Sequence, residues 1–109
     1  MGRESLGEFE QLVLLAIVRL GSEVYGVPIV AEIETRTGRS VSRAAVYIAL
    51  RRLESKGLVT SRMADPTPER GGRAKRLFRM EPAGVESLRD ARQALLSMWQ
   101  DIEPVLEER

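Results

Sequence analysis

Two segments with helical apolar spacing have only five residues between them in this chain, and no other feature narrows its fold as far. The first runs from about Val27 to Thr37, with Ile29, Val30 and Ile33 as its inner face. Pro28 falls in the first turn, where a missing N–H costs least, and Gly38 ends the segment. The second runs over about residues 43–57, with an inner stripe of Val46, Leu50 and Leu53 that Leu58 continues. Between them lies only Gly38 to Val41, leading to Ser42, a residue suited to cap the second helix. Two helices joined by so short a link match a helix-turn-helix.

The flanking segments extend the pattern. Upstream, Phe9, Leu12, Val13, Ala16, Ile17 and Leu20 recur at helical spacing and Gly21 supplies a stop. Ser5 and Glu8 have the Ser-x-x-Glu spacing of a capping box, which predicts a helix start at Ser5. Leu14, Leu15 and Val18 are apolar too, so this helix is expected to be buried on more than one side. Downstream, Leu58 to Met63 alternates as a short strand, with Val59 and Met63 on one face. Ala64 to Gly72, with Pro66, Pro68, Gly71 and Gly72, reads as a turn or loop. A second strand follows at about residues 74–80, with Phe78 and Met80 on one face. A helix-turn-helix followed by a β-hairpin is a winged helix.

A final helix is expected over about residues 83–108. Val85, Leu88, Ala91, Leu95, Met98, Trp99, Ile102 and Leu106 form a stripe near period 3.5 that overhangs the core of one small domain. Pairing with a second copy is the economical use of it. Pro104 removes one helical bond and clashes with the carbonyl of Gln100, which predicts a kink or early end there. The expected fold class is mainly α with a small β-hairpin (α+β). Residues 1–81 form a winged helix-turn-helix, and residues 82–109 a dimerisation helix within the same compact unit.

Charge is divided along the chain far more sharply than a net +1 suggests. Residues 39–79 hold eleven Lys/Arg against three acids, a local +8, while the rest holds six against thirteen, a local −7. That is the footprint of a polyanion-binding surface. With no Cys and no His, thiol nucleophiles, disulfides, thiolate metal sites and imidazole acid–base chemistry are excluded. No paired base, nucleophile or phosphate loop appears at a meaningful spacing, so an enzyme is not expected, nor any cofactor. The longest apolar run, Leu12 to Val18, is too short to span a membrane and no signal peptide precedes it. The expectation is a soluble cytoplasmic protein with no membrane partner.

Winding the third helix at about 100° per residue puts Ala44, Tyr47, Ile48, Arg51 and Ser55 opposite its inner stripe. A small residue, an aromatic, an aliphatic and an arginine together suit a major-groove reader, since arginine grips guanine edges or phosphates and apolar groups meet thymine methyls. Tyr47 fits two roles at this stage, half-buried packing or direct contact with DNA. Arg73, Lys75, Arg76 and Arg79 make the tip and open face of the hairpin basic.

In order and spacing these residues resemble the PadR family of transcriptional regulators, specifically its short members with one C-terminal helix. Tyr25-Gly26 matches the Tyr-Gly or Gly-Tyr entering the second helix. Ala44-Ala45-Val46-Tyr47-Ile48-Ala49-Leu50-Arg51-Arg52-Leu53-Glu54 is similar to the recognition-helix pattern Gly-Thr-Leu-Tyr-Pro-x-Leu-x-Arg-Leu-Glu, and Lys56-Gly57-Leu58-Val59 continues it. Arg73-Ala74-Lys75-Arg76-Leu77-Phe78-Arg79-Met80, then Pro82-Ala83-Gly84, resembles the wing strand Arg-x-Arg-Arg-Tyr-Tyr-Arg-Leu-Thr-x-x-Gly. Leu77-Phe78 stands for the usual Tyr-Tyr, Glu81 for Thr, and Ala44 and Ile48 for Gly and Pro. The wing thus loses two hydroxyls and keeps its arginines.

The resemblance implies a homodimer that represses transcription at a roughly palindromic operator in double-stranded DNA and is relieved by a small effector. On residues and resemblance together, the expected DNA-binding set is Ser42, Arg43, Ala44, Tyr47, Ile48, Arg51, Arg73, Lys75 and Arg76. The expected dimerisation set is Leu88, Leu95, Met98, Ile102 and Leu106. Trp99 with Met98 and Leu95 could hold a flat aromatic effector near a two-fold axis, or pack there as ordinary interface. A reading from a different class is a winged-helix protein–protein module whose basic face docks an acidic partner.

Overall fold

The computed structural model describes residues 5–65, 75–102 and 104. Three helices open the fold: α1 (Glu8–Leu20), α2 (Gly26–Thr37) and α3 (Arg43–Ser55). An antiparallel hairpin of β1 (Val59–Met63) and β2 (Arg76–Met80) follows, and α4 (Pro82–Trp99) closes it. The fold class read from the periodicities holds.

The core lies where α1 meets α2, α3 and the hairpin. Val13, Leu14 and Ile17 of α1, Ile29 and Ile33 of α2, and Val46, Leu50 and Leu53 of α3 are all buried. Val59 and Phe78 close it from the sheet. Phe78 also joins the hairpin to the α1–α2 connector. Val24 N–H donates to the Phe78 carbonyl at 3.0 Å and Phe78 N–H donates to that of Val24 at 2.7 Å, which makes Val24 a one-residue third strand.

Local chemistry sets the turn between α2 and α3. Gly38 takes φ +74°, the left-handed conformation that glycine adopts without a Cβ penalty, and its N–H donates to the Glu34 carbonyl. The Glu34 carboxylate accepts from Val41 N–H at 2.9 Å, and Ser42 Oγ caps α3 by accepting from Ala45 N–H at 3.0 Å. The expected cap at Ser42 is therefore present.

Three expectations need correction. α1 begins at Glu8, not Ser5: the reciprocal bond comes from Gly7 N–H to Glu10 Oε1 at 3.0 Å, so the Ser5–Glu8 box does not form. Glu10 is drawn there because it is buried and held by Lys56, a contact 46 residues away that local spacing does not reveal. The second strand begins at Arg76 rather than near residue 74. α4 ends at Trp99, well short of residue 108. Pro104 cannot donate to the carbonyl of residue 100 and its ring crowds that oxygen. Gln100 accordingly turns extended (φ −55°, ψ 129°) and Asp101 takes φ +70°. Ile102 thus sits in a turn rather than on the helix, and Leu106 lies outside the described residues.

Candidate nucleic-acid interface

One side of α3 is left open by the packing of the other. With Val46, Ala49, Leu50 and Leu53 buried, Arg43, Ala44, Ile48, Arg51 and Ser55 are exposed, Ile48 by 55%. An isoleucine so exposed on a helix flanked by arginines has apolar surface to offer a partner. Ser42, at the cap, is exposed beside them.

Tyr47 is half-buried and packs against the core. Its ring end lies where a Cβ on Gly26 would stand, at 2.5 Å from both Cζ and Oη. Residue 26 must therefore be glycine for the ring to seat, which explains physically why tyrosine in α3 accompanies glycine at the start of α2. Packing accounts for the ring of Tyr47; its hydroxyl end remains beside the N-terminus of α2.

The basic block is less free than its formal charge. Of its nine cations among the described residues, three pair with acids from outside the block. Arg39 donates twice to Glu8, at 3.2 and 2.8 Å. Lys56 holds Glu10 at 3.0 Å, and Arg62 holds Glu23 through Nε and Nη2 at 2.9 and 2.8 Å. Hydrogen bonds from Arg39 and Arg62 hold the carboxyls of Glu8 and Glu23 below the usual carboxylate range. Burial pushes Glu10 upward, but the Gly7 N–H, Lys56 and the field of Arg52 together outweigh it and lower its pKa. Among the described residues no acid forms an ion pair with Arg43 or Arg51.

The hairpin's cations divide between its two faces. On the inner face Arg76 Nη1 donates to Ser61 Oγ at 2.9 Å, and Ser61 Oγ donates to Glu54 of α3 at 2.8 Å. On the outer face Lys75 places its ammonium 4.6 Å from the centre of the Tyr25 ring, a cation–π contact. Arg79 is exposed on that outer face, and Arg73 lies outside the described residues. Lys75 and Arg76 are thus near the expected surface, each with an internal neighbour that charge counting missed. A single bridging residue has no neighbours on which alternation could show, so nothing local marks Val24, with Glu23 and Tyr25 beside it, as the hairpin's neighbour.

Toward its C-terminus α4 exposes a cluster of large apolar side chains among polar ones. Leu95 (54%), Leu96 (51%), Met98 (76%) and Trp99 (40%) are uncovered, as is Ile102. Leu88, expected to meet a partner, is half-buried against the chain's own core. No helix among the described residues is long and apolar enough to cross a membrane.

Comparison with known proteins agrees with this geometry. Residues 14–90 match the model of the "Transcriptional regulator PadR-like family". The chain is 36% identical over 83 residues to the transcriptional regulator Rv3488 of Mycobacterium tuberculosis, covering 74% of this chain and 71% of that one. Among solved structures, a PadR family transcriptional regulator from Eggerthella lenta superposes with a TM-score of 0.69 at 24% identity, covering 94% of this chain and 88% of the other. A putative transcriptional regulator from Thermoplasma acidophilum gives 0.72 at 22% identity, with 93% of each chain covered.

Proposed function

This chain belongs to the PadR-like family of transcriptional regulators, a family of DNA-binding proteins rather than enzymes, and from that premise we propose how it binds and what it does. It acts as a homodimeric repressor. The exposed side of α3 enters the major groove: Arg43 and Arg51 meet base edges or phosphates, while Ala44 and Ile48 meet thymine methyls. Ser42 and the hydroxyl end of Tyr47 flank that contact. The wing, through Arg73, Lys75, Arg76 and Arg79, lies along phosphates. The observation that carries this reading is the open side of α3, where exposed Ile48 stands beside Arg43 and Arg51, neither of which has an acid ion-paired to it among the described residues.

Arg51→Ala should cost about 1–3 kcal/mol of operator binding if the guanidinium reads a base. Selection of bound fragments from genomic DNA supplies the operator, and titration of both proteins against it gives the difference. Operator affinity unchanged within error would remove Arg51 from the interface.

The uncovered end of α4 and the turn after it are where the second protomer packs, through Leu95, Met98 and Ile102, with Leu106 further along the sequence. Two recognition helices would then meet half-sites about one helical turn apart. Trp99 has two uses there, interface packing and stacking with a flat apolar effector that relieves repression, walled by Met98 and Leu95. Its fluorescence separates them. Planar aromatic compounds that quench Trp99 and weaken operator binding establish an effector site. If they do neither, and Trp99→Ala only weakens the dimer, the residue is packing.

A further inference from the structure

We infer that Glu23 is an internal counter-ion that holds Arg62 off the DNA backbone and so limits the protein's affinity for DNA of any sequence. The inference rests on the reading of the wing as a phosphate-binding element. Side chains alternate across the hairpin and its one-residue neighbour. Because Thr60 pairs with Arg79, Arg62 with Leu77 and Val24 with Phe78, one outer face collects Thr60, Arg62, Leu77, Arg79, Glu23 and Tyr25. Lys75 joins this face by lying over Tyr25.

Among the described residues three cations, Arg62, Arg79 and Lys75, share this face, and the proposed phosphate contact of the wing uses Arg79 and Lys75 of them. Of these three, only Arg62 has an acid bound to it among the described residues, and that acid comes from the connector between α1 and α2. Glu23 takes both Nε and Nη2, the pair of donors that a phosphate would otherwise occupy. Its field reaches Arg79 as well, and the field of Asp65 adds to it at Arg62. Glu81, the other acid along this face, accepts from Thr60 Oγ1 at 3.1 Å instead. An exposed ion pair contributes little to folding. Removing one cation from a phosphate-binding face has a larger consequence, because each neutralised phosphate releases counterions and strengthens binding to every sequence alike.

The test measures binding of the full chain to mixed-sequence duplex DNA and to its operator across a salt series. Glu23→Gln should steepen the log–log salt slope by about one and tighten both DNAs by the same factor, roughly eightfold at 0.1 M salt. Arg62→Gln should leave the slope where it is, since that guanidinium is already committed. Weaker binding by Glu23→Gln, or a changed preference for operator, would make the pair an anchor for the wing and overturn the inference. So would a shallower slope for Arg62→Gln, which would mean Arg62 touches phosphate with Glu23 in place. Arg79→Gln reports on the premise: it should flatten the slope by about one. If it does and Glu23→Gln changes nothing, the counter-ion assignment alone fails. If it does not, the phosphate-binding wing fails and the inference with it.

Discussion

Leu95→Asp should leave a folded winged helix that no longer assembles and no longer holds its operator. Leu95 is 54% exposed, on the helix segment beyond Leu88, the last α4 residue packed against the chain's own core. A carboxylate there stays in water in the single chain, so folding should change by no more than a surface substitution does, about 0.5 kcal/mol. In a dimer the same carboxylate would be buried against apolar Met98, Trp99 and Leu96, where an unpaired charge is strongly unfavourable. A monomer then grips one half-site and forfeits the gain from linked sites, roughly 10²- to 10⁴-fold in affinity. Sedimentation, thermal unfolding and operator titration on one preparation check all three parts. Wild-type sedimentation by the Leu95→Asp protein would place the second copy elsewhere. Coincident loss of the fold would make Leu95 a core residue.

Features fixed by local chemistry are legible in the sequence alone. The four-residue link, the Ser42 cap and the buried stripe Val46, Leu50 and Leu53 depend on neighbours within a turn or two, and each appears where spacing puts it. So does Phe78 as the hairpin's buried position. Misplaced ends have distant causes. Lys56, at the C-cap of the third helix, claims Glu10 and moves the start of α1 three residues on from Ser5. At the other end the cause is local and visible: Pro104 predicts a break, while the stripe of Ile102 and Leu106 predicts continuation. The proline prevails because a missing donor and a blocked carbonyl are certain costs, while the apolar stripe gains only what a partner covers. In the basic block, counting charges gave the correct sign and an inflated magnitude. Glu8, Glu10 and Glu23 come from the acidic flank and fold back onto Arg39, Lys56 and Arg62.

Gly84→Ala should do more damage than any change of one methyl group on a helix surface. Gly84 is buried where α4 crosses the junction of α3 and β1, and a Cβ there would drive into the Leu58 carbonyl oxygen and stand 2.5 Å from Met80 Sδ. Met80 can swing aside. The Leu58 carbonyl cannot, because it is backbone and already accepts from Glu81 N–H at 3.0 Å. Alanine is the better helix former by up to about 1 kcal/mol, but overpacking against fixed backbone costs about 1–3 kcal/mol and outweighs that gain. For a domain near this size each kcal/mol lost lowers Tm by roughly 4–8 °C. Relief comes only by lifting the first turn of α4 from the winged helix, and the rest of α4 moves with it. If α4 carries the second protomer, that tilt changes the separation of the two recognition helices, which must match half-sites about 34 Å apart. Operator affinity should consequently fall by more than the lost stability explains, and operators lengthened or shortened by one base pair should be discriminated less sharply. A Gly84→Ala protein with wild-type Tm and wild-type spacing preference would show that α4 sits loosely on its own domain.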